Sequence, residues 1–357
     1  MEPTARLRAW TYRRLRLGDP AASPEEALRA VVAVYSAHPT APLALAARIR
    51  GMRAEDFRDM ERRRAALRIP GMRGTMFLAP RETAGRLFAP FDVNRASLAR
   101  RLNRGGLTEP AFSAIAARVV AAASVPLLPR ELRDAAGVEG VEMSLVLRVL
   151  RNEGVMLAVP DRSLRAANLR YVRVDEWAPG SLDVADVSQA LIGVAGDYLR
   201  AYGPVRPADF GWWTGLPART AAAALAVHDT VDVGAGLLLA REDEAAYSDA
   251  RPPRNRVDLL PKWDPYTMGF APDGRARLVH PDNQRLIYVQ KGVVAPGQPN
   301  IGLPGDGYPV VLVDGEAVGT WNLTLKGGTV DMFDRAGIAT RQRLDARLAA
   351  VEALLAG

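Results

Sequence analysis

Residues 28–80, LRAVVAVYSAHPTAPLALAARIRGMRAEDFRDMERRRAALRIPGMRGTMFLAP, decide how this chain is to be read. Leu28, Val31, Val32 and Val34 fall at roughly helical spacing and predict an apolar helix. It breaks at Tyr35-Ser-Ala-His38-Pro39-Thr-Ala-Pro42, because two prolines three apart do not sit inside a helix. A short loop offering Tyr35, Ser36, His38 and Thr40 is therefore expected between two helices. A second helix is predicted over Leu43–Arg50, carrying Arg48, and a third over Arg53–Leu67, carrying Arg58, Arg62, Arg63 and Arg64. Met72–Leu78 then alternates like a strand.

Three helices followed by a strand hairpin is the winged-helix plan, a variant of helix-turn-helix. Upstream, residues 4–17 form a basic helix with Arg6, Arg8, Arg13, Arg14 and Arg16 around Leu7, Trp10, Leu15 and Leu17, either a solvated face or an arm for phosphates. Ser23-Pro24-Glu25-Glu26 is a helix start, with serine as N-cap and proline at N1. Downstream, residues 80–104 continue as helix and end at Gly105-Gly106.

Further along, the chain repeats itself. Pro126-Leu-Leu-Pro129-Arg-Glu-Leu132-Arg-Asp-Ala-Ala-Gly137 and Pro204-Val-Arg-Pro207-Ala-Asp-Phe210-Gly-Trp-Trp-Thr-Gly215 share the pattern P-x-x-P-x-x-(L/F)-x-x-x-x-G. The second proline opens a short helix, the apolar residue three on packs inward, and the glycine permits the tight turn into the next helix. Each copy follows a helix (Ala111–Ala123; Val184–Ala201) and precedes another (Val141–Glu153; Ala218–His228). An apolar hairpin comes next (155–159 with 169–174; 231–240). The chain is thus expected to be α+β, with three tandem winged-helix units over 1–110, 111–180 and 181–250. Arg251-Pro-Pro-Arg254 reads as a linker into a β-rich domain over 251–357. Strands are predicted at Val257–Leu260, Ala276–Val279, Arg285–Val289, Pro309–Val313, Ala317–Trp321 and Thr329–Phe333. Asp314-Gly315 and Gly327-Gly328 read as hairpin turns, and Thr340–Ala356 as a closing helix.

Composition narrows the function. With 357 residues and 48% hydrophobic content the chain can bury a large core. It lacks any apolar run of the roughly 18 residues a membrane span needs, and its start lacks a signal-peptide core, so the cytoplasm is the expected compartment. Zero cysteines exclude disulfides and thiolate zinc sites, and His38, His228 and His280 stand far apart; no metal is expected. The net charge of +7 is uneven: residues 1–110 hold 21 Arg and 11 Asp or Glu, a net of +10. Residues 111–250 hold 13 and 18, a net of −5, and residues 251–357 hold 13 Lys or Arg and 11 acids, a net of +2. A positive field confined to the first third and built from arginine forks suits phosphate oxygens, so duplex DNA is the expected partner.

Four motifs in order carry a resemblance across essentially the whole chain: Tyr35-Ser-Ala-His38-Pro-Thr-Ala-Pro42 ahead of an aliphatic helix, Met72-Arg73-Gly74-Thr75, Leu259-Leu-Pro-Lys-Trp-Asp264-Pro-Tyr266, and Val318-Gly319-Thr320-Trp321. Together they resemble the winged-helix DNA-binding superfamily typified by the AlkZ/YcaQ alkylpurine DNA glycosylases. The resemblance implies three winged-helix motifs and a β-rich region forming a basic channel for duplex DNA. It also implies excision of N-alkylated bases, bulky adducts included, in repair or antibiotic self-resistance, without metal or organic cofactor and without an obligate protein partner. The family's Gln-x-Gln or Gln-x-Asp signature, aligned on the downstream proline, falls on Tyr35 and Ala37. Both usual side chains are therefore replaced.

Cleaving an N-glycosidic bond passes through an oxocarbenium-like sugar, which calls for a group that positions or deprotonates water. Alanine does neither. His38 stands one residue beyond and is a candidate base, or else a local cap; Tyr35 is a candidate donor or stacking surface. Asp264 with Tyr266 is a second candidate pair, or a carboxylate satisfying turn amides. Arg73, beside a glycine that permits close backbone approach, is the leading candidate for contact near the lesion, or else an ion-pair partner of Asp56, Asp59 or Glu61. Arg48, Arg58, Arg62, Arg63 and Arg64 would add sequence-independent affinity. Trp212-Trp213 reads as core, and the turn-rich loop Gly302–Gly307 as no phosphate site. The alternative to a glycosylase is a DNA-binding protein without catalysis, lesion-shielding or regulatory.

Overall fold

The computed structural model describes residues 2–91, 108–140, 143–160, 162–166, 168–288, 307–324 and 327–357. The expected helix ending at Gly105-Gly106, for all but its start, and most of the loop at Gly302–Gly307 lie outside them. The chain divides into two compact units, a larger one of residues 1–35, 39–57 and 195–357 and a smaller one of residues 36–38 and 58–194.

Helix α1, Pro3–Arg14, opens the larger unit. Its arginines are neither a free solvated face nor an arm. Arg8 pairs with Glu316 at 2.7 Å, Arg14 with Asp243 at 3.3 Å, and Arg16 with Glu26 at 2.8 Å. Tyr12 donates to Asp258 Oδ2 at 2.6 Å, and burial holds its phenol well above the ordinary range. Helix α2, Pro24–Ala30, starts as the sequence says, with Ser23 Oγ accepting from Glu26 N–H. It does not run on through the valines, which are β-branched and stiff: Val32 takes φ 69° and Val34–Tyr35 form the short strand β1.

Helix α3, Thr40–Ala46, begins earlier than predicted. Pro39 is its N-cap, so Pro42 falls in the first turn, where the missing N–H removes no hydrogen bond. Helix α4, Ala54–Arg62, stops well short of Leu67, because Ala66–Pro70 is taken as β2 in an antiparallel hairpin with β3, Met76–Pro80. The turn between them, closed by Gly71 N–H on Thr75 O at 2.9 Å, puts Arg73 at φ 55° and Gly74 at φ 65°. The expected strand from Met72 therefore begins only at Met76. Helix α5 is Ala84–Phe88.

The repeat is visible in three dimensions. Helices α6, Glu109–Ala122, α7, Pro129–Ala135, and α8, Met143–Asn152, precede the hairpin of β4, Met156–Pro160, and β5, Leu169–Arg173. Helices α9, Val187–Tyr202, α10, Pro207–Thr214, and α11, Ala218–Leu225, precede β6, Thr230–Asp232, and β7, Leu238–Ala240. Pro129 and Pro207 open their helices, Leu132 and Phe210 are fully buried, and Gly137 and Gly215 take φ 60° and 80°. The equivalence extends to an acid the pattern did not include. Glu131 accepts from Leu128 N–H at 2.7 Å and Asp209 from Arg206 N–H at 2.9 Å, satisfying the same orphan donor at each helix start. The first hairpin closes the core of the smaller unit, where Phe112, Val119, Leu132, Val146, Leu150 and Met156 pack together.

In the larger unit, β8, Val257–Leu260, β9, Val310–Val313, β10, Glu316–Thr324, and β11, Gly327–Met332, form one antiparallel sheet in the order β11-β10-β9-β8. Helix α12, Ile338–Ala356, packs on it, with Arg347 donating to Val257 O and Asp258. Asp314 (φ 50°) and Gly315 (φ 82°) make the expected tight turn. Gly327 and Gly328 instead lie in β11, paired with Thr324 and Leu323. Two predicted strands are absent: Pro272–Arg277 is a 3-10 helix and Gln284–Ile287 a helical turn. Trp213 is core and Trp212 lies under the Arg275 guanidinium. Among the described residues no helix is long and apolar enough to cross a membrane.

Candidate nucleic-acid interface around Tyr35 and His38

His38 is half-buried in the smaller unit, and both of its ring nitrogens are engaged. Nδ1 lies 2.8 Å from Ser163 O, and Nε2 lies 2.9 Å from an Arg68 guanidinium nitrogen. Arginine has only donors, so Nε2 accepts and Nδ1–H donates to the carbonyl, which fixes the tautomer. Burial, with the Arg68 charge second and the Ser163 bond opposing, lowers the imidazole to about 4. The ring is neutral at physiological pH and its one lone pair is occupied. That corrects the reading of His38 as a free base: it is a strut between the loop, β2 and the segment at Ser163.

Arg68 is itself buried in β2, and its other arm pairs with Glu61 of α4 at 2.6 Å. Burial raises the Glu61 carboxyl, with Arg68 opposing. Glu61, Arg68, His38 and Ser163 O thus form one continuous polar chain. Beside it, Ser36 N–H donates to Met76 O at 3.0 Å and ties the loop to β3. Neither Arg68 nor Ser163 stands out in the sequence, since their partners are 30 and 125 residues away from the reader's eye at His38.

Tyr35, in the larger unit, packs its ring on Trp263 with centroids 4.4 Å apart and planes at 56°. The cations predicted to meet DNA separate into groups. Arg73 is exposed at the tip of the β2–β3 turn, and Glu61 and Asp56 are paired with Arg68 and Arg53. Arg62 and Arg63 are exposed at the end of α4, Arg62 beside Asp59. Arg58 donates to Arg162 O at 2.9 Å, and Arg64 lies 4.3 Å over the Trp177 ring while donating to Trp177 O at 3.0 Å.

Arg48 must be struck from the interface. Its side chain is 0% exposed and grips Asp264, also 0% exposed, through two bonds of 2.7 and 2.8 Å, with a third to Ala44 O. The same contacts remove the second candidate site. Asp264 is the N-cap of the turn Pro265–Met268, accepting from Tyr266 N–H at 2.8 Å, and the fully buried Tyr266 hydroxyl donates to Gly315 O at 2.7 Å. No lone pair or phenol there faces solvent. Among the described residues no three of His, Asp or Glu are grouped to hold a metal ion.

A family model described as DNA glycosylase AlkZ-like matches residues 9–354. The chain belongs to the AlkZ-like DNA glycosylase family. Its fold is that of a solved relative, the Streptomyces sahachiroi DNA glycosylase AlkZ, at TM-score 0.75 and 18% sequence identity, covering 99% of this chain and 96% of that one. No curated protein matches the sequence. Within this family the present chain carries Tyr35 and Ala37 where the resemblance expects paired polar side chains. Its loop is held from one side by Arg68 through His38 and carries an aromatic ring on the other.

Proposed function

We propose that this AlkZ-like protein binds double-stranded DNA and removes N-alkylated purines, in repair or in self-protection against a DNA-alkylating compound. The family match over residues 9–354 carries the reading. The three runs of helices closed by a hairpin are read as winged-helix units. Exposed Arg62, Arg63 and Arg73 are the phosphate-contacting cations.

A purine alkylated at N7 carries positive charge and leaves readily, so the enzyme's task reduces to stabilising the sugar cation and orienting water. Tyr35 is the polar side chain this reading assigns to orient water, in the place of the family's first glutamine. His38 and Arg68 hold the loop and do not exchange protons at neutral pH. Incubating duplexes carrying methylated or bulky N7 adducts and opening abasic sites with alkali tests this. Strand breaks at the adducts are expected, and breaks at background level for every adduct would end the proposal.

A second reading, lesion binding without excision, is favoured by one observation: Ala37 and the fully engaged His38 leave the loop without a free base. Tight lesion binding without product, unaltered by Tyr35→Phe, would select it.

A further inference from the structure

Lys262-Trp263-Asp264 is built with unusual firmness for a loop. Trp263 takes φ 59°, a left-handed conformation that a bulky residue adopts only when its surroundings impose it. The following residue supplies the constraint. Asp264 is clamped by both nitrogens of the buried Arg48 and caps the turn Pro265–Met268, so the chain enters that turn in one direction only. The consequence is a half-buried indole set against the Tyr35 ring, with the Lys262 ammonium 4.0 Å from its centroid.

An ammonium at that distance is a cation held by the ring quadrupole. The indole face therefore already works as a cation site, and its present occupant sits on a flexible four-carbon stem that can swing aside. We propose that Trp263, backed by Tyr35, recognises the positive charge of an N-alkylated purine by cation–π contact, with the base taking the place of the Lys262 ammonium. Lys262 then turns to a neighbouring phosphate. This rests on the lesion reading above and adds what that reading lacks, a physical basis for choosing a charged base over a normal one. An unmodified purine is neutral and gains only stacking, which does not repay the displaced ammonium. The site selects for charge, so it tolerates the size of the alkyl group.

The test compares one duplex pair: a single N7-methylguanine, cationic, and 7-deaza-7-methylguanine, its neutral isostere, each on a 2′-fluoro sugar that resists cleavage. The readout is the ratio of their dissociation constants by fluorescence anisotropy. The native protein is expected to bind the cationic base roughly 3- to 30-fold tighter than the isostere. Trp263→Ala brings the ratio to about one, Trp263→Phe retains part of it, and Lys262→Ala raises it by vacating the face. Because Trp263→Ala changes a strained position, Trp263→Asn, which tolerates φ above zero, serves as its folding control and is expected to lose the ratio equally. A ratio of one in the native protein, an unchanged ratio in both ring-less variants, or a fall in Lys262→Ala overturns the proposal. The non-cleavable sugar separates this from the excision reading. A preserved ratio with no excision of the natural nucleotide sinks only the enzyme, and excision with a ratio of one sinks only the cation site.

Discussion

Arg48 and Arg68 belong to the same basic third of the chain, and both guanidiniums are buried, with side-chain exposures of 0% and 4%. Arg48 spends its fork on one carboxylate, Asp264, in a closed bidentate pair that sets the turn after Trp263. Arg68 divides its arms between Glu61 and the neutral ring of His38, and so reaches into the loop at the family's signature position. The difference teaches that a buried arginine is defined by what its second arm touches. One arginine is architecture, and the other holds a candidate active loop in place.

The largest expected effect breaks the architectural pair. Arg48→Ala leaves Asp264 charged and buried and is expected to cost about 3–5 kcal/mol in chemical denaturation, whereas Arg48→Met with Asp264→Leu is expected to recover most of it. Arg68→Ala is expected to cost less, about 2–3 kcal/mol. Arg68→Met with Glu61→Leu should regain that stability while excision stays lost, because His38 no longer has its donor. Recovery of excision in that double variant would erase the distinction drawn between the two arginines.

A pH titration sharpens it further. His38 is lowered to about 4 in the folded protein from an ordinary 6.5, so between those values the unfolded chain binds the extra proton. Its contribution is therefore fully favourable above pH 6.5 and is lost as pH falls toward 4, by about 2 kcal/mol once partial exposure is allowed for. Glu61, raised by burial, acts with the opposite sign above its ordinary 4.5, so His38→Gln is expected to reverse the slope between pH 5 and 6.5. The smallest effect belongs to the surface. Arg73→Ala is expected to leave stability unchanged and to lower the salt dependence of DNA binding by about one phosphate contact.

Much of the fold was legible because it is locally encoded. The Pro-x-x-Pro repeat fixes two helix starts and two left-handed glycines within a dozen residues, and each device works through nearest neighbours. The boundaries around Val31–Val34 and Leu67 were not, since stiff valines and a helix-compatible Ala66-Leu67 were settled by strand formation with residues elsewhere. The site was half legible. Tyr35, His38 and Arg73 announce themselves, but Asp264 meets Arg48 across 216 residues and Ser163 meets His38 across 125, and no spacing rule reaches that far. The count of positive charge in the first third was right as a count. As a map of DNA contacts it overreached, because Arg8, Arg14, Arg16, Arg48 and Arg68 are held in internal pairs.

The central claim is that this loop removes alkylated bases from duplex DNA. The most direct measurement is single-turnover release of free N7-methylguanine from a methylated duplex, quantified by mass spectrometry for the native protein and Tyr35→Phe. Release by the native protein, falling at least tenfold without the phenol hydroxyl, is the expected result; no release above the spontaneous rate, or equal release by both, would contradict it.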